Sequence, residues 1–309
     1  MKNKVLILGG SGFIGINLIE NFLSNNHEVF VYGRNKPAIT CHSNDFHFIE
    51  AEMSDFEKHK NYLKSLKIET AIYLINTFPV NSKTLEYSSL LESNKNFISE
   101  LIDIVGRFIF FSSGGRVYKS SVQAHHESES LAAICDYGKS KIALEHFVAS
   151  ESQLKNKLFL IIRPSNPYGP YQSLVGGQGL IAVLIGRILS KSKVDIWGTG
   201  HEVRDYIYIK DFISLFYKLY NLECPKYNVY NIGSGVGVST LTILEVVRKQ
   251  LLVNDVKIRY LSSNNVVESN ILCNNRILEE VGPINYTHLA VGVAQFIEWL
   301  EMNGLNVEA

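Results

Sequence analysis

The chain has little cysteine and no cysteine pattern. Its four thiols, Cys41, Cys135, Cys224 and Cys273, lie far apart and none forms a C-x-x-C pair. Neither a zinc knuckle nor a disulfide framework is therefore encoded, and a reducing, cytoplasmic setting is expected. An excess of charge is missing too: 30 Lys plus Arg balance 30 Asp plus Glu. That removes the electrostatic case for nucleic acid or an anionic membrane as the main partner, and leaves only a local basic pocket for a phosphate ligand. No apolar run approaches the roughly 18 residues that a bilayer span needs. The first apolar segment already includes Val5, so no signal peptide is expected. Internal repeats and low-complexity linkers are absent. What remains is 309 residues, 46% of them hydrophobic and 19% charged, enough for one large or two modest domains with a proper core.

The organising stretch is KVLILGGSGFIG, residues 4–15. A short apolar strand runs into glycines at 9, 10, 12 and 15, and Phe13, Ile14, Leu18, Ile19 and Phe22 then recur at helical spacing. A strand, a glycine turn and a helix start make a dinucleotide-binding arrangement. Gly9 permits the sharp turn, Gly12 puts no side chain between backbone and pyrophosphate, and Gly15 lets the helix pack closely. The helix N-terminus offers N–H groups and a positive dipole end to the phosphates.

Further strands are expected at 27–33, 45–50, 70–75, 107–112 and 158–163, alternating with helices, the longest over 85–105. That alternation predicts a parallel, doubly wound α/β sheet of Rossmann type. At the end of the second strand, where NAD sites carry an acid for the ribose diol, the chain reads Tyr32-Gly33-Arg34. Arg34 can pair with a 2′-phosphate, which favours NADP, or stack on adenine, or stay solvated. Tyr137 and Lys141 stand four apart on one helix face. A neighbouring ammonium is expected to lower the phenol's pKa and make the pair a proton-transfer device. The proline-rich 164–170 reads as a loop, followed by a looser crossing to about 179. The remaining expectations are helices at 180–189, 212–220 (capped by Asp211), 241–252 (begun by Ser239 or Thr240), 276–281 and 289–300, strands at 193–197, 227–232 and 256–261, and Trp299 in the core.

Six motifs in order now carry a resemblance: GGSGFIG at 9–15, SSGGRVY at 112–118, YGKSK at 137–141, RPSNPYGP at 163–170, GTGHEVRDYIYIKD at 198–211 and NIGSG at 231–235. The chain resembles the NAD-dependent epimerase/dehydratase family, the extended short-chain dehydrogenase/reductases that act on nucleotide sugars. The resemblance implies a Rossmann-type dinucleotide-binding domain over 1–170, with return segments about 204–232. It implies a smaller mixed α/β domain for the nucleotide sugar over 171–203 and 233–309. By the same resemblance Tyr137 is the acid/base and Lys141 holds the nicotinamide ribose. Gly9, Gly12, Phe13, Ile14 and Gly15 hold the pyrophosphate. Glu52 and Met53 lie near the adenine, Leu74 near the cofactor, and Asn94 beside the active-site strands. Asn166 and Arg204 contact the substrate diphosphate, with Arg276 a further phosphate or nucleotide candidate. The expected alternative for Arg204 is a salt bridge to Asp205 or to another acid.

Two departures matter. The usual Ser or Thr four residues before Tyr118 is Gly114 here, so Ser113, Ser112 or a water takes its place. The Asp-Glu pair of the 4,6-dehydratases is Gly115-Arg116, which argues against a dehydratase, since elimination needs an extra acid and base. The resulting expectation is a nucleotide-sugar 4-epimerase with bound NAD and a nucleotide-diphosphate sugar as partner, working through a 4-keto sugar. The alternatives are a dehydrogenase or 4-ketoreductase with net turnover of NAD or NADP, and a non-catalytic dinucleotide sensor. A homodimer through the helices around 85–105 and 136–152 is implied by the resemblance alone, and no metal is expected.

Overall fold

A computed structural model describes residues 2–80, 83–176, 178–262 and 268–304. The chain divides into two compact units. The first takes Met1–Val117, Leu131–Arg163 and Tyr227–Tyr230, and the second Tyr118–Ser130, Pro164–Lys226 and Asn231–Ala309. This division differs from the expected one. The border falls after Arg163 rather than at 170, residues 118–130 join the second unit, and only 227–230 return from the 204–232 stretch.

The first unit opens with β1 (Lys4–Leu8), α1 (Phe13–Ser24), β2 (Glu28–Gly33), β3 (Phe46–Glu50), α2 (Phe56–Ser65) and β4 (Thr70–Tyr73). It continues with α3 (Tyr87–Ile104), β5 (Arg107–Phe111), α4 (Gly114–Val117), α5 (Asp136–Leu154) and β6 (Leu158–Pro164). Parallel pairings join β3, β2, β1, β4, β5 and β6 in that spatial order. The strand β10 (Val229–Ile232) completes the seven-stranded sheet beside β6. Strands of such sheets are covered on both faces and read as continuous apolar runs. Accordingly Val5, Leu6, Ile7 and Leu8 are all fully buried. Leu6, Leu8, Phe30, Tyr73, Phe108 and Phe110 pack against Phe97, Ile98, Leu101, Leu144 and Val148 of α3 and α5. Chain order runs outward from β1 in one direction and from β4 in the other, so the topological switch point lies at their carboxyl ends, where such sheets bind ligands.

In the second unit, β7 (Asn166–Tyr168) pairs in parallel with β9 (Val203–Tyr208), so part of the expected loop at 164–170 is a strand. The same β9 pairs with β11 (Gly237–Ser239) and β13 (Ser269–Asn270), while β8 (Val194–Trp197) pairs with β12 (Ile258–Leu261). Around them run α6 (Leu180–Leu189), α7 (Ile209–Tyr220), α8 (Thr240–Gln250), α9 (Asn275–Val281) and α10 (Leu289–Met302). Ser239 caps α8, accepting from Thr242 N at 3.1 Å. Asp211 does not cap a helix: α7 starts earlier, and the carboxylate accepts from Thr287 N and Oγ1 at 2.7 and 3.0 Å. Trp299 is half-buried, edge-on to Tyr171 at 4.8 Å, rather than in the core. Among the described residues no helix is long and apolar enough to cross a membrane.

Candidate active site

Four expected residues stand just beyond the carboxyl ends of neighbouring strands: Gly9 after β1, Leu74 after β4, Arg34 after β2 and Ser112 after β5. Gly9 turns with φ +79°, a left-handed value that favours glycine. A Cβ there would come within 3.1 Å of Ile75 N. At Gly15 a Cβ would stand 2.6 Å from Gly10 O, so the close packing of α1 on the turn depends on that glycine. Gly12 is different. It is exposed, its backbone is extended at φ −80°, and the nearest atom to an added Cβ is Gly9 O at an ordinary 3.7 Å. Among the described residues nothing requires glycine there, so the space is open to a ligand.

The first internal bond of α1 runs from Ile16 N to Gly12 O at 2.9 Å. The amides of Phe13, Ile14 and Gly15 thus lie outside the helix ladder and at its positive end. Beyond β5, Ser112 is 5% exposed and its hydroxyl has no hydrogen-bond partner among the described residues. An open Cβ position, a free helix start and an orphaned hydroxyl at the carboxyl edge of one sheet fit a dinucleotide.

At the end of β2, Arg34 is exposed and an added Cβ on Gly33 would meet nothing within 4 Å. Tyr32 is buried and its hydroxyl donates to Glu52 O at 2.7 Å. Glu52 is exposed and forms a capping box with Asp55, while the half-buried Met53 packs against the core. Asn94, expected beside the active-site strands, is buried on α3. Its amide protons go to Thr77 Oγ1 (2.8 Å) and Leu90 O (2.7 Å), and its carbonyl accepts from Tyr73 Oη (2.6 Å). It ties α3 to the segment after β4.

Tyr137 sits in the first turn of α5, whose N-cap Cys135 accepts from Gly138 N at 3.5 Å. A Cβ on Gly138 would collide with Arg116 O, so glycine lets α5 start against α4. That approach sets Tyr137 beside Ser113, whose side chain favours the phenolate, and within the field of Arg116. Lys141, one turn on, donates from Nζ to Phe111 O at 2.9 Å and lies 5.7 Å from the Tyr137 ring centroid.

The expected lowering of Tyr137 does not occur in the protein alone. Burial is the dominant influence and raises the phenol's pKa, against Ser113 and Arg116, which favour phenolate. Burial also brings Lys141 from 10.5 down to about 8, with Glu145 pulling the other way. Glu145 is itself buried and gripped by Arg163, with Nε at 3.0 and 3.2 Å and Nη2 at 2.5 Å. Arg116, Glu145 and Arg163 were not anticipated as parts of the site. The spacing of Glu145 four residues after Lys141 is the one local signal for it.

The expected substrate residues all lie in the second unit. Asn166 on β7 donates from Nδ2 to Asp205 O at 2.8 Å. Arg204 on β9 is half-buried and donates from Nη1 to Val203 O at 2.8 Å. It alternates along the strand with Asp205, whose buried carboxylate bonds to Ser234, Gly235 and Leu272 instead. Arg276 sits 3.7 Å from the buried Glu127, whose other oxygen accepts from Asn231 N at 2.9 Å. An ion pair thus restrains Arg276.

The profile of the NAD dependent epimerase/dehydratase family matches residues 5–233. A dTDP-4-dehydro-6-deoxyglucose reductase of Escherichia coli is 32% identical over 262 residues, covering 81% of this chain and 82% of that protein. A UDP-glucose 4-epimerase of Mycolicibacterium smegmatis is 24% identical over 311 residues, covering 96% and 98%. Among solved structures, the Thermotoga maritima UDP-glucose 4-epimerase with UDP-glucose has a TM-score of 0.86 at 24% identity, over 97% of this chain and 99% of that one. The Bacillus cereus UDP-glucuronic acid 4-epimerase with UDP-glucuronic acid and NAD has a TM-score of 0.84 at 20% identity, over 97% and 99%. These two structures share the fold. With the switch-point glycines, the Tyr137–Lys141 pair and a match over most of its length, the chain belongs to the NAD dependent epimerase/dehydratase family of nucleotide-sugar enzymes.

Proposed function

We propose that the chain transfers a hydride and a proton at one carbinol carbon, C4, of a nucleotide-diphosphate sugar, and that the reaction is 4-epimerisation. The observation that carries this reading is Tyr137 one helical turn from the buried Lys141, whose Nζ lies 5.7 Å from its ring centroid, with Gly115 and Arg116 in place of a second acid–base pair. One proton carrier suffices for an alcohol–ketone interconversion, whereas elimination needs more. A nicotinamide dinucleotide, when bound, supplies the hydride acceptor and donor. Gly12 and the amides of Phe13, Ile14 and Gly15 bind its pyrophosphate. Tyr137 removes the proton from the C4 oxygen and later returns it. Ser113 orients that oxygen, Arg116 and Lys141 favour the phenolate, and Arg204 and Asn166 hold the diphosphate. The sugar turns over as the 4-ketone between the two transfers.

A second reading, net 4-ketoreduction, is favoured by the Escherichia coli reductase at 32% identity and by Arg34, exposed where an acid would select NAD. Arg34 suits a 2′-phosphate, and an exchanging NADPH suits a reductase. The test is to identify the nucleotide released on denaturation and then follow UDP- and dTDP-sugars by NMR. Equilibration of two C4 epimers with no net change in reduced nicotinamide supports the first reading. Stoichiometric consumption of NADPH with a 4-keto sugar replaces it with the second. Failure to retain or bind any pyridine dinucleotide overturns both.

A further inference from the structure

The strand β9 carries a carboxylate with an uncommon environment. Asp205 is 0% exposed. Its Oδ1 accepts from Ser234 N and Ser234 Oγ, both at 2.8 Å. Its Oδ2 accepts from Gly235 N at 3.1 Å and Leu272 N at 3.2 Å. A Cβ on Gly233 would collide with Oδ2, so glycine at that position lets the 233–235 turn close on the carboxylate. Among the described residues no cation forms an ion pair with it. Amide and hydroxyl donors alone offset its loss of water, so each of the four counts.

The same residue reaches the candidate substrate side chains through its backbone. Asp205 O holds Asn166 Nδ2 at 2.8 Å. Arg204 and Tyr206, its neighbours along β9, alternate to the opposite side of the strand. Both are half-buried, and they lie close enough for the guanidinium to favour a Tyr206 phenolate. One carboxylate therefore joins β9, the 233–235 turn and Leu272, and its own peptide fixes Asn166.

We propose that Asp205 is a positioning residue for nucleoside diphosphate, setting the separation of Arg204 and Asn166 without touching the ligand. This rests on the reading that those two side chains hold the substrate diphosphate. Locking two donors in place lowers the ordering cost of binding, so the effect belongs in affinity rather than in the chemical step.

The test uses the full-length chain with UDP and dTDP as probes, their affinities measured by calorimetry, and KM and kcat measured on whichever nucleotide sugar is turned over. Asp205→Asn puts an amide donor against two N–H groups. It is expected to weaken nucleoside diphosphate binding and raise KM by about tenfold or more. Its kcat should change less than about threefold, and NAD affinity should stay at the wild-type value. Ser234→Ala removes a single donor and should give a smaller loss of the same kind, so a poorly folded Asp205→Asn does not end the test. Nucleoside diphosphate affinity within about twofold of wild type in both variants, while Arg204→Met abolishes it, overturns the proposal. A loss of NAD affinity in Ser234→Ala along with the diphosphate also overturns it, because that is general unfolding. If Arg204→Met binds UDP and dTDP as wild type does, the parent reading fails, and the role of Asp205 fails with it.

Discussion

Replacing Lys141 with methionine should remove activity and yet change stability in a pH-dependent way that needs no substrate to observe. The ammonium is 5% exposed, it donates to Phe111 O at 2.9 Å, and burial brings it from 10.5 to about 8. That interval corresponds to about 3 kcal/mol, at ~1.4 kcal/mol per pKa unit. Below about pH 8 the amine is charged in both folded and unfolded chains, so the fold carries the whole cost of burying it. Between about 8 and 10.5 the unfolded chain binds a proton that the folded chain lacks, and stability rises with pH. Above that window the cost is gone. Methionine fills similar space with no titratable group. The stability of wild type relative to Lys141→Met should therefore stay level below about pH 8 and climb by about 3 kcal/mol toward pH 10.5. Urea unfolding of both proteins without cofactor, stepped through that range, measures the difference. Tyrosines and other lysines titrate in both chains and cancel. A difference that stays flat across the window, or falls, would refute a desolvated ammonium at this position.

Other outcomes follow from the same geometry. Tyr137→Phe should lower kcat by about 10²- to 10⁴-fold while dinucleotide affinity, read by fluorescence titration, is retained. Glu145→Ala removes the carboxylate that grips the buried Arg163 and should cost about 3–5 kcal/mol in urea unfolding, whereas Glu145→Leu combined with Arg163→Met should recover most of it. Gly12→Ala should leave folding stability within about 0.5 kcal/mol of wild type yet weaken dinucleotide binding, because its Cβ enters ligand space. Gly15→Ala, forced against Gly10, should instead lose about 1–3 kcal/mol of stability. Arg34→Asp should shift the ratio of NAD to NADP affinity toward NAD, and an unchanged ratio removes Arg34 from cofactor selection.

The parallel sheet was legible because its strands are buried on both faces, so that residues 5–8 and 108–111 appear as unbroken apolar runs. The Tyr137–Lys141 pair was legible from helical spacing taken together with the glycine turn at 9–15 and the Ser-rich end of the strand at 107–112. The pKa balance was not, since burial and the approach of Arg116 come from α4 meeting α5, and no local pattern encodes that. The short β7 was missed because prolines at 164, 167 and 170 read as a loop. Among the described residues β7 pairs with β9 alone, and so tolerates Pro167, which has no N–H to donate. Asp211 looked like a helix cap because Thr287, its partner, lies 76 residues away. Arg276 was read without its ion pair because Glu127 is more remote still in sequence.

The chain passes between its two units at 117/118, 130/131, 163/164, 226/227 and 230/231. With five crossings, neither unit corresponds to a continuous stretch of gene. A single recombination event cannot exchange the second unit whole, and no continuous fragment holds all of one unit without pieces of the other. Variation in the second unit is therefore open to point substitution and closed to the shuffling of modules.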